Sequence, residues 1–161
     1  MEFLNIIKMR RSRYEITNRL PISEAELEKM LEECIKHAPS AFNSQSARVV
    51  LLVGGSHKLF WDLVLEKLRS MVPADHFVPT KDKIHSFSQG YGTILFLEDQ
   101  TVVEELQEQY PLYKENFSVW SEQSNGMLQF VVWTALAERG IGASLQHYNP
   151  IADEEVFAAF D

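Results

Sequence analysis

A switch from helical to extended patterning in the first third of the chain limits the folds open to this sequence. Ser23 and Glu26 have the spacing of a capping box, in which each side chain satisfies a backbone donor of the other residue. Apolar residues follow at helical spacing: Leu27, Met30, Leu31, Cys34, Ile35 and Ala38. Pro39 disfavours helical geometry in the residue before it, so this helix should end near His37 or Ala38.

A strand is predicted shortly after that helix. Val49–Val53 is short, β-branched and followed by Gly54 and Gly55, which is typical of a buried strand that ends in a turn. The connecting segment Ala38–Ser46 is small and polar. A turn of that composition can hold a ligand against exposed backbone.

The rest of the chain alternates helical and strand patterns. We expect helices at Glu2–Met9, from Ser56, at Thr101–Gln109, at Ser121–Arg139 and at Asp153–Phe160, a strand at Thr93–Leu97, and a third strand or an extended turn at Ala143–His147. The apolar stripe of the helix from Ser56 comprises Leu59, Phe60, Leu63, Val64 and Leu68, with Trp61 off the stripe. Val72–Gln89, which contains two prolines, predicts a long loop. The helix around Trp133 is apolar over most of its circumference, which indicates a buried helix.

Length and composition indicate one compact unit. The chain has 161 residues, of which 45% are hydrophobic and 24% charged, the balance of a globular protein. The sequence shows no internal repeat and no convincing linker, so we expect a single α+β domain over residues 1–161.

The net charge and the apolar runs exclude several classes of partner. A formal net charge of -8 opposes binding to nucleic acid phosphates or to an anionic membrane surface. No apolar run approaches the length of a membrane span, and the N-terminus lacks the apolar core of a secretion signal. With Cys34 as its one cysteine, the chain can form no internal disulfide. These features favour a cytoplasmic protein.

Two catalytic or metal constellations can be composed from the sequence, and both are weak. Ser40 or Ser144 with His147 and an aspartate would form a hydrolase triad, but no Gly-x-Ser-x-Gly elbow is present. Cys34 with His37 supplies only half of a structural zinc site. No Gly-x-Gly-x-x-Gly follows a strand, so a Rossmann-type nicotinamide domain is not supported.

Three polar segments carry a family resemblance over nearly the whole chain. They are Arg10-Arg11-Ser12, Pro39-Ser40-Ala41-Phe42-Asn43-Ser44-Gln45 and Gly140-Ile141-Gly142-Ala143-Ser144. In this order and at this spacing they resemble the three flavin-contacting segments of the nitroreductase family. Further motifs are most similar to a small subgroup linked to fatty-acid-responsive regulation: Ser44–Val50, Gly90–Thr93 and Leu145–Pro150.

The resemblance implies an architecture and an assembly. Members of this family have helices packed around a mainly antiparallel sheet and work as homodimers with two FMN molecules at the subunit interface. The apolar helix around Trp133 would then lie at the dimer core. Such proteins usually have a C-terminal extension that reaches the partner subunit and adds a basic phosphate contact. This sequence lacks that segment, so we expect the native protein to continue beyond Asp161, or its flavin site to be weaker.

The resemblance assigns the arginine cluster to the flavin phosphate. Arg10 and Ser12 are the phosphate candidates, because a guanidinium fork matches phosphate oxygens and a hydroxyl adds a neutral donor. Arg11 or Arg13 is assigned to the pyrimidine side of the flavin, where a cation favours the reduced anion. Taken alone, the cluster is more typical of a solvated basic patch after a helix.

The other two segments are assigned to the isoalloxazine ring. Pro39 supplies a rigid turn, Ser40 and Ala41 allow close backbone approach, and Asn43 and Gln45 offer amide donors and acceptors. Taken alone, this is an ordinary polar loop after a helix. The extended segment of Leu145, Gln146 and His147 is assigned to the O4 and N5 region of the ring, with His147 as a contact rather than an acid or base.

The activity implied by the resemblance is that of an FMN-dependent oxidoreductase. Hydride would pass from NAD(P)H through the flavin to a nitroaromatic or quinone acceptor by a ping-pong mechanism. The alternative is a flavin- or lipid-binding regulatory module with the same fold and little turnover. Aromatic residues in the middle of the chain would either form the acceptor pocket or complete a core: Phe77, Tyr91, Phe117 and Trp120.

Overall fold

The computed structural model describes residues 2–160 as a helix-rich chain with a small sheet. The elements are α1 (Phe3–Met9), α2 (Glu24–His37), β1 (Ala47–Val53), α3 (Gly54–Met71), α4 (Phe77–Ser88), β2 (Gly92–Glu98), α5 (Gln100–Gln109), α6 (Lys114–Glu138) and α7 (Asp153–Phe160). Short 3₁₀ turns lie at Ala41–Asn43, Ala74–His76 and Pro111–Tyr113. The predicted α+β class is confirmed.

The sheet consists of β1 and β2 paired with each other. The N–H of Asp99, just after β2, donates to the carbonyl of Ser46, just before β1, at 2.9 Å. The start of one strand therefore lies beside the end of the other, as in an antiparallel pair. A third strand at Ala143–His147 is not formed; Ala143 makes a single parallel bridge to Ser12.

The chain forms two compact units. The first comprises the chain up to Arg10, Pro21–Leu51 and Ile94–Ile141. The second comprises Arg11–Leu20, Leu52–Thr93 and the chain from Gly142 onwards. Over residues 2–160, no helix is both long and apolar enough to cross a membrane.

In the first unit, α2 begins and ends as the sequence predicts. The Ser23 Oγ accepts from the backbone N–H of Glu26 at 3.3 Å, and the Glu26 carboxylate accepts from the backbone N–H of Ser23 at 2.9 Å. The helix ends at His37, and Ala38 has extended backbone. The buried face of α2 packs against α6 and comprises Leu27, Met30, Leu31 and Cys34.

The long helix α6 differs from its prediction in length and in burial. It begins at Lys114 rather than Ser121. It ends where Gly140 adopts φ +73°, so that the N–H of Ile141 donates to the carbonyl of Leu136 at 2.9 Å. The prediction of a buried helix is only partly right for the single chain, because part of its apolar surface stays exposed. Three apolar side chains of the other face are 36–43% exposed: Met127, Phe130 and Val131.

In the second unit, the buried face of α3 matches the predicted stripe only in part: Val64 and Leu68 are buried as predicted. Trp61 is only 5% exposed, whereas Leu59 is 42% exposed, so the prediction that Trp61 lies off the buried face is wrong. The helix begins at Gly54, two residues before the predicted start at Ser56. The large indole ring occupies the core because α4 and Tyr148 pack around it.

The predicted loop at Val72–Gln89 is wrong, because most of it is helix α4. Pro79 is the third residue of that helix, where a missing N–H costs no intrahelical hydrogen bond. Ile84 and Phe87 lie one turn apart and are 1% and 2% exposed against α3. Burial of these two side chains stabilises the helix. The prolines in the sequence had suggested a loop instead.

Candidate functional site

The turn at residues 40–45 has an unusual backbone. Phe42, Asn43 and Gln45 have φ values of 56°, 52° and 51°, in the left-handed region that non-glycine residues rarely adopt. Each such residue costs on the order of 1 kcal/mol and persists only where its surroundings enforce it. Backbone strain of this kind is concentrated at binding and catalytic sites, so this turn is the leading candidate in the first unit.

Hydrogen bonds from Ser40 close the turn. Its hydroxyl accepts from the N–H of Gln45 at 3.0 Å, and its carbonyl accepts from the N–H of Asn43 at 3.0 Å. The carbonyl of Ala41 accepts from Ser44 at 3.1 Å. Ser40 therefore organises the segment, while the side chains of Pro39, Asn43 and Gln45 are exposed.

An aromatic cluster supports the same turn. The ring of Phe42 lies 5.8 Å from that of Trp120 with an interplanar angle of 18°, an offset stack. It also contacts Tyr110, Tyr113 and Phe117. Phe117 is buried and belongs to the core rather than to an acceptor pocket.

A buried polar network anchors the other end of the turn, and sequence analysis did not find it. The hydroxyl of Ser46 donates to one oxygen of the Glu98 carboxylate at 2.5 Å, and the amide of Asn125 donates to the other at 2.9 Å. Gln129 donates to Asn125 at 2.6 Å. No spacing in the sequence signals this network, because its members come from three separate parts of the chain: the residue before β1, the end of β2, and α6.

In the second unit, a segment around Ser12 pairs with a segment around Ala143. Ser12 forms a parallel bridge with Ala143, and the N–H of Arg13 donates to the carbonyl of Ala143 at 3.0 Å. A Cβ on Gly142 would lie 3.3 Å from both Cβ and Cγ of Arg13, so glycine permits this close approach. The bridge brings Arg11 and Ser12 beside the segment that contains the other predicted contacts, Leu145, Gln146 and His147.

The side chains of this joined segment differ in their surroundings. Arg11, Ser12 and His147 are exposed, and Leu145 and Gln146 are half-buried. Gln146 donates to the hydroxyl of Ser144 at 3.1 Å.

Arg10 lies in the first unit, directly after α1. Its guanidinium carbon lies 4.2 Å from the centre of the Trp133 ring on α6 and 6.0 Å from that of Phe130. Sequence analysis placed Trp133 in an apolar helix and Arg10 in a basic cluster, but no sequence pattern connects the two residues.

The donor set of these segments fits a flavin nucleotide. Guanidinium groups and a hydroxyl suit a phosphate dianion, and the exposed amides of Asn43 and Gln45 suit the polar edge of a flat heterocycle.

The alternative metal site and a reactive cysteine are less well supported. Residues 2–160 contain no group of side chains that could hold a metal ion. Cys34 is buried, which raises the pKa of its thiol and disfavours the reactive thiolate.

Comparison with known proteins identifies the family. The model of the nitroreductase family matches residues 7–160. Nitroreductase FRM2 of Saccharomyces cerevisiae is 32% identical over 149 residues, which cover 91% of this chain and 74% of that protein. The chain belongs to the nitroreductase family and is an oxidoreductase by family.

Solved structures agree with this assignment. Nitroreductase CinD from Lactococcus lactis, in complex with chloramphenicol, has a TM-score of 0.89 and 39% identity, and the match covers 99% of this chain and 80% of CinD. A protein of Desulfovibrio desulfuricans, assigned as a nitroreductase and solved with FMN, has a TM-score of 0.70 at 19% identity over 99% of this chain and 76% of that one. The likeness to the latter concerns the fold alone.

Proposed function

We propose that the protein is an FMN-dependent oxidoreductase that uses NAD(P)H to reduce nitroaromatic or quinone acceptors by a ping-pong mechanism. FMN, when bound, supplies the redox chemistry by accepting a hydride and passing electrons to the acceptor. CinD has been solved with 4-nitrophenol and with chloramphenicol, which favours a flat aromatic acceptor here.

The proposal assigns the site residues as the sequence analysis did. Arg10 and Ser12 bind the phosphate, and Arg11 or Arg13 provides positive charge at the pyrimidine side of the ring. Pro39, Ser40, Ala41, Asn43 and Gln45 contact the ring edge, and Leu145, Gln146 and His147 face its redox-active side. Within this set, Ser40 also holds the strained turn in place through Gln45.

The observation that carries the proposal is the bridge between Ser12 and Ala143. It joins two of the three motif segments, which lie at opposite ends of the chain. A cationic segment beside a segment with polar side chains suits a nucleotide with a phosphate tail and a polar ring.

A homodimer is part of the proposal. The exposed apolar side chains of Met127, Phe130 and Val131 on α6 form a face that a second copy would cover. In such a dimer the long helix would be buried on both sides.

Anaerobic flavin reduction tests the proposed function. Purified protein is reconstituted with FMN, passed through gel filtration, and mixed with NADH or NADPH under argon. We expect a yellow species of dimer size whose flavin band bleaches with the nicotinamide and returns when 4-nitrophenol is added. A protein that stays yellow without bleaching would be the regulatory module, and a colourless protein would contradict FMN binding.

A further inference from the structure

We propose that Trp133 is a positioning residue, which holds the Arg10 guanidinium in the orientation that binds the phosphate of FMN. This inference rests on the proposed function, because it takes Arg10 as a phosphate ligand. It adds a role for a side chain on α6 that lies outside all three motif segments.

The stack between the two side chains constrains the arginine without using its donors. The guanidinium carbon lies 4.2 Å from the indole centre, well within the range of a cation–π contact. Such a contact acts on the positive charge of the guanidinium, whose N–H groups are the donors that a phosphate requires. A cation–π contact uses none of the N–H groups as donors, and an arginine held in this way loses less rotamer freedom when the anion binds.

Both partners of the stack are anchored by the fold. The N–H of Arg10 donates to the carbonyl of Ile6 at 3.0 Å, and the buried side chain of Ile6 holds α1 in the first unit. Trp133 lies between buried positions of α6, Val132 and Leu136, and α1 packs against this helix. The backbone of Arg10 is thus held by α1, and the guanidinium at the end of its side chain is held by α6.

The negative charge of the protein makes the orientation of Arg10 important for phosphate binding. A chain with a formal net charge of -8 repels a phosphate dianion at long range, so binding depends on cations held at short range. Arg10 is half-buried, and partial burial strengthens its attraction to an anion relative to an arginine in open solvent. An arginine free to swing away would lose that advantage.

A comparison of FMN with riboflavin isolates the phosphate contribution, because the two ligands share the ring and differ in the phosphate. Dissociation constants of both are measured by quenching of flavin fluorescence for the wild type, Trp133→Leu, Trp133→Phe, Arg10→Ala and Arg10→Ala/Trp133→Leu. Val119→Ala, a change at a 51% exposed position of the same helix, is the matched control. Circular dichroism and thermal unfolding check that each variant is folded.

We expect Trp133→Leu to weaken FMN binding by about threefold to thirtyfold, the range of one cation–π contact, and riboflavin binding by less than twofold. Trp133→Phe keeps an aromatic face and should retain most of the preference for FMN. The double variant should bind FMN no more weakly than Arg10→Ala, since the tryptophan acts through the arginine.

Three results would overturn the inference. Equal weakening of both ligands in Trp133→Leu would assign the tryptophan a general structural role. A wild-type preference for FMN that survives in Trp133→Leu or in Arg10→Ala would exclude positioning through Arg10 while leaving the proposed function intact. A wild-type protein that binds neither flavin would remove the proposed function itself.

Discussion

Thr93 Oγ1 lies 2.8 Å from Nδ1 of His57, an imidazole that is only 2% exposed. The other ring nitrogen lies 3.2 Å from the carbonyl of Ser88, which can only accept, so Nε2 carries the proton and Nδ1 accepts from the threonine hydroxyl. The same hydroxyl accepts from Nε1 of Trp61 at 2.9 Å. Neutral His57 therefore completes a closed set of hydrogen bonds in the core of the second unit.

Acidic pH should destabilise the protein through this histidine. Burial lowers the pKa of His57; the Ser88 carbonyl opposes that shift, and Lys58 adds to it. Between the folded-state pKa and the ordinary value of about 6.5, the unfolded chain binds more protons. The contribution of His57 to the free energy of unfolding is therefore at its maximum above about pH 6.5. It falls as the pH drops from there towards the folded-state pKa, by up to about 1.4 kcal/mol per pH unit.

Urea unfolding at pH 7.5 and 5.5 measures this dependence. His57→Gln should be less stable than the wild type at pH 7.5 by about 1–3 kcal/mol, but it should show a flatter pH profile. His76→Gln, at an exposed position, should keep the wild-type slope. Identical profiles for the wild type and His57→Gln would contradict the prediction.

The buried network at Ser46 should make a large contribution to stability. Ser46→Ala removes a donor to the Glu98 carboxylate at a position that is 1% exposed, and we expect a loss of about 1–3 kcal/mol in urea unfolding. The control is Ser70→Ala, an exposed hydroxyl that bonds only to Lys67, with a change within about 0.5 kcal/mol. Equal losses of stability in the two variants would contradict a large contribution of the Ser46–Glu98 hydrogen bond.

Phe42 tests the strained turn. Phe42→Ala removes the stack on Trp120 and should cost about 1 kcal/mol in thermal unfolding. Because the backbone here has φ 56°, Phe42→Gly should be more stable than Phe42→Ala, the reverse of the usual order. Leu112→Ala, at 84% exposure, is the control, and an alanine variant more stable than the glycine variant would argue against enforced strain.

The helix α4 can be tested through Phe87. Phe87→Ala empties a site that is 2% exposed beside Trp61 and should destabilise by about 3–5 kcal/mol. Val78→Ala on the same helix, at 63% exposure, should change stability by no more than about 0.5 kcal/mol. A similar small effect at both positions would mean that the segment does not pack as a helix on α3.

The elements that were predicted correctly are those with strong local signals. The capping box at Ser23 and the stop at Pro39 define α2, and Gly140 ends α6. These signals act within a few residues, so the sequence pattern contains them in full. The family was identified differently, from the resemblance of three motif segments taken in order over nearly the whole chain, and the family model that matches residues 7–160 confirms it.

The errors have a tertiary cause. Val72–Gln89 has prolines that suggest a loop, but Ile84 and Phe87 bury against α3 and stabilise a helix that propensity alone does not. Trp61 and Leu59 are both apolar residues on one helix, and only the position of the neighbouring elements decides which one enters the core.

The sequence alone determined the helices with capping and stop signals and the two strands, because hydrogen bonding and periodicity over short spans fix them. The three motif segments were identified from their resemblance to a family. The tertiary structure alone decided that Ser12 pairs with Ala143, that the Arg10 guanidinium lies over the Trp133 ring, and that Ser46 reaches Glu98. Contacts between residues far apart in the chain depend on how several elements pack at once, and no local pattern encodes that result.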